Sequence, residues 1–329
     1  MLASRSPLRI SFFGGGTDFR GYYERDYGCV LSAAIDKYVY VMVNKKFDDK
    51  IQLNYRLTEV ADSVDQILHP TIREAMRFTK VEQGIELSVQ ADFPSHGTGL
   101  GSSSTFLVSV LNALHSFRGE KTTPEKLASD ACKIEIDILG EPIGKQDQYI
   151  AAYGGFNFIR FNKDGSVSVE PLKVAPDTVS TLRSKLLFFY TGIARSSGRV
   201  LKEQNQNIGD KVEHLNRMRE LAIRARAELE RGRTESIGRM LDESWQMKRT
   251  LASSISSDTI DNYYNAAIRA GAAGGKILGA GGGGFFMFYC DEGKQGSVRK
   301  ALSPMREVQF DFPVEGSRII FNDSVPRRQ

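Results

Sequence analysis

Pro94 to Thr105 reads Pro-Ser-His-Gly-Thr-Gly-Leu-Gly-Ser-Ser-Ser-Thr, a loop broken by proline and glycine that runs straight into an amphipathic segment. Leu107, Val110, Leu111 and Leu114 recur at i, i+3, i+4 and i+7, which predicts a helix with one buried face, and Gly119 supplies its stop. The first amides of a helix have no intrahelical partners, and the helix dipole places roughly half a positive charge beside them. Glycines at 97, 99 and 101 let an anion approach the backbone without meeting a Cβ, and the hydroxyls of Ser102, Ser103 and Ser104 follow. These are the physical requirements of a phosphate cradle. The plain alternative is a flexible loop with a serine cap. It is not a Walker loop, because no lysine follows the last glycine.

Composition narrows the setting. A chain of 329 residues is long enough for two domains of ordinary size. With 41% hydrophobic and 26% charged residues it reads as globular and soluble. A formal net charge of +4 suits small anionic ligands but is too weak to argue for nucleic acid. No run of about 18 apolar residues predicts a membrane helix, and Met1 to Arg9 lacks the apolar core of a signal peptide. Cys29, Cys132 and Cys290 are widely spaced and odd in number, which predicts reduced core thiols in a cytoplasmic protein. The four histidines show no metal-ligand spacing.

Strands are predicted at Leu8 to Phe13, Val30 to Val43, Ile51 to Leu57 and Gly84 to Ala91, with a helix at Ser63 to Arg77. Thr122 and Glu125 match a capping box with Pro124 at the first helical position, so a helix is expected to run to about Leu139 and stop at Gly140. Strands follow at Phe156 to Phe161 and Val167 to Glu170. Lys173 to Lys185, containing Pro176, reads as a helix-poor junction, which divides the chain into domains 1–180 and 181–329. Beyond it come a strand at Leu186 to Thr191 and helices at Lys211 to Arg231, Thr234 to Leu251 and Ser257 to Ala270. A glycine-rich turn then feeds the strand Phe285 to Tyr289. Antiparallel strands with grouped helices indicate an α+β fold rather than a regular parallel array.

Four constellations could carry chemistry. Glu135 interrupts a largely apolar helix face formed by Ala128, Ala131, Cys132 and Leu139. A carboxylate there must find a cation or neutralise. It is either an ion-pair partner or a magnesium ligand, with Ser103 as the second protein oxygen. Asp147, in Ile143-Gly144-Lys145-Gln146-Asp147-Gln148, is either a turn former or a base that accepts a proton from a hydroxyl attacking a γ-phosphate. Gly14-Gly15-Gly16-Thr17-Asp18-Phe19 is either a surface turn or a close-approach loop in which Asp18 accepts from vicinal hydroxyls. The run from Gly279 to Gly284 lies between a helix and a core strand, which favours a loop packed against the site over a linker. Arg195 and Ser196 sit in a further loop that is either solvated or meets an anionic substrate group.

Together these segments resemble the GHMP kinases, the small-molecule kinases named for galactose, homoserine, mevalonate and phosphomevalonate. Ser6 to Phe19, Pro94 to Thr105 and Lys276 to Phe288 match three family motifs in the expected order, and the resemblance spans essentially the whole chain. It implies an N-terminal ribosomal-protein-S5-like domain with a left-handed βαβ unit and a C-terminal ferredoxin-like domain, with ATP and the acceptor between them. By match to the motifs, Gly97, Gly99, Leu100, Gly101, Ser102, Ser103 and Ser104 would hold the ATP phosphates. Ser103 and Glu135 would bind Mg2+, and Asp147 would be catalytic with Lys145 beside it. Gly15, Gly16, Thr17, Asp18, Arg20, Arg195, Ser196, Gly281 and Gly282 would face the substrate. Ser104 stands where alanine is common. Within the family the motifs are most similar to those of heptose 7-phosphate kinases, which phosphorylate the anomeric hydroxyl. A second phosphate on such an acceptor calls for cations, for which Arg20, Arg195, Arg199 and Lys276 are candidates. The alternative acceptor is an unphosphorylated sugar of the fucose or galactose type. A related ATP-dependent decarboxylase and a binding protein without catalysis are the other classes; the sugar-like Gly-Gly-Gly-Thr-Asp segment disfavours the first, and Glu135 with Asp147 disfavours the second.

Overall fold

The computed structural model describes residues 1–94, 97–193 and 197–323. The chain opens with β1 (Leu2–Phe13), α1 (Arg20–Tyr23), β2 (Tyr27–Lys45), β3 (Ile51–Asn54), β4 (Thr58–Ala61), α2 (Pro70–Thr79) and β5 (Ile85–Ala91). It continues with α3 (Ser102–Phe117), α4 (Pro124–Cys132), α5 (Gln146–Tyr153), β6 (Phe156–Asn162), β7 (Val167–Pro171) and α6 (Pro176–Ser184). The remainder is β8 (Leu186–Tyr190), α7 (Ser197–Gln206), α8 (Val212–Glu230), α9 (Ile237–Lys248) and α10 (Asp258–Arg269), then β9 (Gly274–Ile277), β10 (Phe285–Tyr289), α11 (Glu292–Ala301), β11 (Arg306–Glu307) and β12 (Arg318–Asn322).

Two sheets result. An eight-stranded sheet runs β12-β1-β2-β5-β3-β4, with β6 also paired to β2 and β7 to β6. Its spine is β2, whose first half pairs with β6 and whose second half pairs with β5. The other sheet runs β11-β8-β10-β9 and is antiparallel throughout. In β10 the two-residue alternation is buried on both faces. Phe285, Met287 and Tyr289 join a core shared with β1, β2, α8 and α9, while Phe286 and Phe288 join the core under α10. The α3 face expected to be buried is so, since Leu107, Val110, Leu111 and Leu114 have no solvent exposure. The three cysteines are free and buried. Among the described residues no helix is long and apolar enough to cross a membrane.

Three expectations are corrected. Residues 173–185 are not helix-poor: Pro176 occupies the first turn of α6, where its missing N–H costs nothing. The cap of α4 is Thr123, whose side chain accepts from the Lys126 amide at 3.2 Å, and Glu125 instead receives hydrogen bonds from the Tyr149 and Tyr153 hydroxyls. The helix does not run regularly to Leu139, because Lys133–Ile138 is wound as a π-helix. Residue 180, where the proposed division into 1–180 and 181–329 is drawn, is part of α6. The last strand, β12, crosses back to pair antiparallel with β1.

Candidate active site

A cavity of about 360 Å³ is lined by the β1–α1 loop, the loop entering α3, the start of α5, α7, the end of α9 and the turn between β9 and β10. The phosphate-type loop is built as its glycines predict. Gly101 caps α3 in the left-handed region at φ 78°. A Cβ on Gly99 would stand 2.4 Å from the carbonyl oxygen of Leu278, so the two glycine-rich loops meet backbone to backbone. The Phe285 amide donates to the Thr98 carbonyl at 3.2 Å and fixes that contact. Ser102, Ser103 and Ser104 at the start of α3 line the cavity, where the unpaired amides of a helix N-terminus favour an anion. Ser102 and Ser104 are buried and Ser103 is exposed, while Leu100 belongs to the core.

Glu135 is 2% exposed and lies in the π-helical turn, a distortion that concentrates at functional sites. It accepts from the Ser103 hydroxyl at 3.2 Å and from the Gln148 amide at 2.6 Å. Burial, and secondarily the charge of Asp147, raises its pKa to about 7. Among the described residues it forms no ion pair, so the ion-pair alternative is not met. A buried carboxylate beside an exposed serine hydroxyl fits magnesium, which draws its other oxygens from phosphate and water.

Asp147 stands in the first turn of α5, and Arg9 of β1 grips it with both prongs. Nε reaches Oδ1 at 2.6 Å and one Nη reaches Oδ2 at 2.7 Å, while the other Nη donates to the Gly99 carbonyl at 2.6 Å. Arg9 therefore ties the carboxylate to the phosphate loop. Oδ2 would lie only 3.2 Å from a Cβ on Gly101. Sequence reasoning missed Arg9. Its partner is 138 residues away, and only its place within the first motif could have marked it.

Asp18 is buried and accepts from the amides of Gly16 at 2.9 Å and Gln146 at 3.4 Å. Burial raises its pKa, with Asp147 adding to the effect. Gly15, Gly16 and Gly281 line the cavity. Thr17 does not; its hydroxyl bonds the Gly14 and Cys29 carbonyls and staples the loop. Gly282 is set back, donating its amide to Ile255 at 2.7 Å. Lys145 is not brought to Asp147. Its ammonium donates to the Gly165 carbonyl at 2.7 Å and lies over the Tyr23 ring. Arg20 pairs with Asp137 at 2.9 Å at the surface and does not line the cavity. Arg199 is exposed, and Arg195 and Ser196 fall outside the described residues.

Two buried lysines complete the wall. Lys276 donates to the Ser11 and Phe12 carbonyls, each at 3.0 Å, joining β9 to the end of β1. Burial holds its pKa well below the usual lysine value, with Lys248 and Arg9 contributing. Lys248, at the end of α9, is 6% exposed and donates to the Ile277 carbonyl at 3.3 Å and to the Gly279 carbonyl. Burial, then Arg9, lowers its pKa to about 7, while Asp18 and Asp147 act the other way. No signal in the sequence singled out Lys248.

A left-handed glycine loop on a helix N-terminus, an acidic residue beside it and a buried carboxylate at a serine have the chemistry that phosphoryl transfer needs. Residues 64–155 match the family described as GHMP kinases N terminal domain, and residues 225–305 match GHMP kinases C terminal. The chain is 31% identical to the D-glycero-alpha-D-manno-heptose 7-phosphate kinase of Campylobacter jejuni, over 94% of this chain and 96% of that one. The crystal structure of a D-glycero-D-manno-heptose 1-phosphate kinase from Bacteroides thetaiotaomicron superposes with a TM-score of 0.83 at 26% identity, covering 98% of this chain and 100% of that one. Lactococcus lactis galactokinase, complexed with galactose, shares the fold with a TM-score of 0.77 at 17% identity, over 96% of this chain and 94% of that one. The chain belongs to the GHMP kinase family, in both its N- and C-terminal domains.

Proposed function

We propose that the protein is a sugar kinase that transfers the γ-phosphoryl group of ATP to the anomeric hydroxyl of a heptose phosphate, D-glycero-D-manno-heptose 7-phosphate. The observation that carries this reading is the Arg9–Asp147 pair, set against Gly99 and Gly101 of the phosphate loop. The two heptose kinases it resembles both act, by name, on or toward a heptose phosphate, which supports the acceptor class.

The amides of Ser102, Ser103 and Ser104 would receive the nucleotide phosphates, where the α3 dipole favours their charge. Ser103 and Glu135 would hold magnesium, which neutralises charge on the phosphate oxygens when bound. Asp18 accepts from an acceptor hydroxyl, and Asp147 takes the proton of the attacking one. The acceptor oxygen bonds to the γ-phosphorus as the bond to the β-bridging oxygen breaks, and ADP leaves. In a loose transition state that proton is lost late, so where Arg9 holds the carboxylate matters more than its basicity. Lys248, beside Asp18 and Asp147, offers its ammonium to the anionic groups that meet there.

A coupled assay of ADP release tests the proposal with heptose 7-phosphate, fucose and galactose as acceptors. Turnover with the heptose phosphate is expected. Turnover with fucose or galactose alone would overturn the acceptor and keep the kinase chemistry.

A further inference from the structure

Two polar groups in the cavity have no partner. The Ser11 hydroxyl, on a residue 4% exposed, and the side-chain carbonyl Oε1 of Gln146 are both buried without a hydrogen bond among the described residues. Both residues line the cavity. Leaving such groups unpaired is costly, about 1–3 kcal/mol each, so an orphan pair facing one space points to a ligand that completes it. They flank Gly15: a Cβ there would stand 3.5 Å from Ser11 Oγ and 3.7 Å from Gln146 Nε2. The absence of a side chain at Gly15 keeps the space between them open.

Their place relative to the chemistry is fixed by the fold. Ser11 follows Arg9 by two residues on β1, so both side chains leave the same face of the strand about 7 Å apart. Gln146 precedes Asp147, and its amide N–H donates to the Asp18 carboxylate at 3.4 Å. Arg9 and Asp147 thus mark the reacting end, and Ser11 and Gln146 line the same cavity close to them in the chain.

We infer that Ser11, Gln146 and the bare backbone of Gly15 form a specificity subsite that reads a pair of adjacent neutral hydroxyls on the acceptor ring. A hydroxyl and a carboxamide can each donate and accept, which matches vicinal hydroxyls. Neither carries charge, so the pair suits neutral hydroxyls better than a phosphate, which draws cationic partners. The inference rests on the sugar-kinase reading.

The test uses Ser11→Ala, Gln146→Met and Gly15→Ala in the full chain. Gly15 does not have a left-handed φ, and its added Cβ meets no atom closer than 3.5 Å, so the alanine is compatible with the fold. Each variant should raise the acceptor KM about tenfold, leave kcat within about threefold and leave ATP affinity unchanged. The melting temperature should hold or rise, because the substitutions remove orphan groups or add none. Acceptors lacking one ring hydroxyl give the sharper readout. For the analogue missing the contacted hydroxyl, the penalty of Gln146→Met should vanish, while other deoxy analogues keep it. Unchanged acceptor KM, or equal penalties with every analogue, overturns the subsite. A lowered melting temperature with normal KM assigns the pair to structure and overturns it too. Wild-type protein that turns over no sugar overturns the kinase reading instead. Saturation-transfer NMR with the sugar phosphate, on wild type and variants, then reads the subsite directly, and equal signals overturn it.

Discussion

Replacing Lys248 with methionine should stabilise the fold increasingly as pH falls while it damages catalysis. Lys248 is buried at the end of α9, and burial lowers its pKa from 10.5 to about 7. The unfolded chain therefore binds more protons than the folded one between these values, and stability rises with pH across that interval. The stability is complete above pH 10.5 and is lost as pH falls toward 7. Burying this amine costs about 4 kcal/mol at pH 7 and about 2 kcal/mol at pH 9, from 1.36 kcal/mol for each pH unit of separation. Methionine removes that cost but leaves the Ile277 and Gly279 carbonyls without the donor, a loss independent of pH over this range. The comparison between pH values is thus free of it. Urea unfolding followed by the fluorescence of the single, fully buried Trp245 should show the variant gaining about 2 kcal/mol on wild type between pH 9 and pH 7. At the same time kcat/KM should fall at least about tenfold, the pattern of a residue kept for function at the expense of stability. Parallel pH dependences for the two proteins would refute the burial argument, and unchanged kcat/KM would remove Lys248 from the site.

Asp147→Asn should lower kcat by about 10²-fold or more while calorimetry still detects nucleotide binding; unchanged kcat would remove it from the mechanism. For Glu135→Gln, the magnesium concentration giving half-maximal rate should rise sharply, and an unaltered titration would count against metal binding at Ser103 and Glu135. Gly99→Ala combines a left-handed φ of 75° with a Cβ 2.4 Å from the Leu278 carbonyl, so unfolding experiments should show a loss above about 2 kcal/mol. Gly119→Ala, at φ 77° but with open space around it, should lose about 1 kcal/mol, and equal losses would mean that the contact between the glycine loops carries no energy.

The parts legible in the sequence are those written in short spacings. The loop at 97–101 and its helix, the apolar stripe of α3, the strand Phe285–Tyr289 and Pro124 at a helix start each depend on neighbours within a few residues. Local chemistry also misled where two readings share one signal. Pro176 marks both a break and a first helical position, and Thr122 and Thr123 both offer a capping hydroxyl. Glu135 could be flagged as a charge on an apolar face, but the π-helical turn that presents it could not.

What the sequence determined by itself was a glycine loop on a helix N-terminus and two carboxylates placed where they could serve an anion, because backbone amides and side-chain periodicity are local properties. Only the tertiary structure decided what those carboxylates contact. Arg9 meets Asp147 across 138 positions, Lys276 meets Ser11 across 265, and Lys145 turns away from the residue two places along the chain. Such pairings are set by strand register and by how two sheets close on a shared core. They decide which charges face the cavity and which are held by backbone carbonyls, and no spacing along the chain records them.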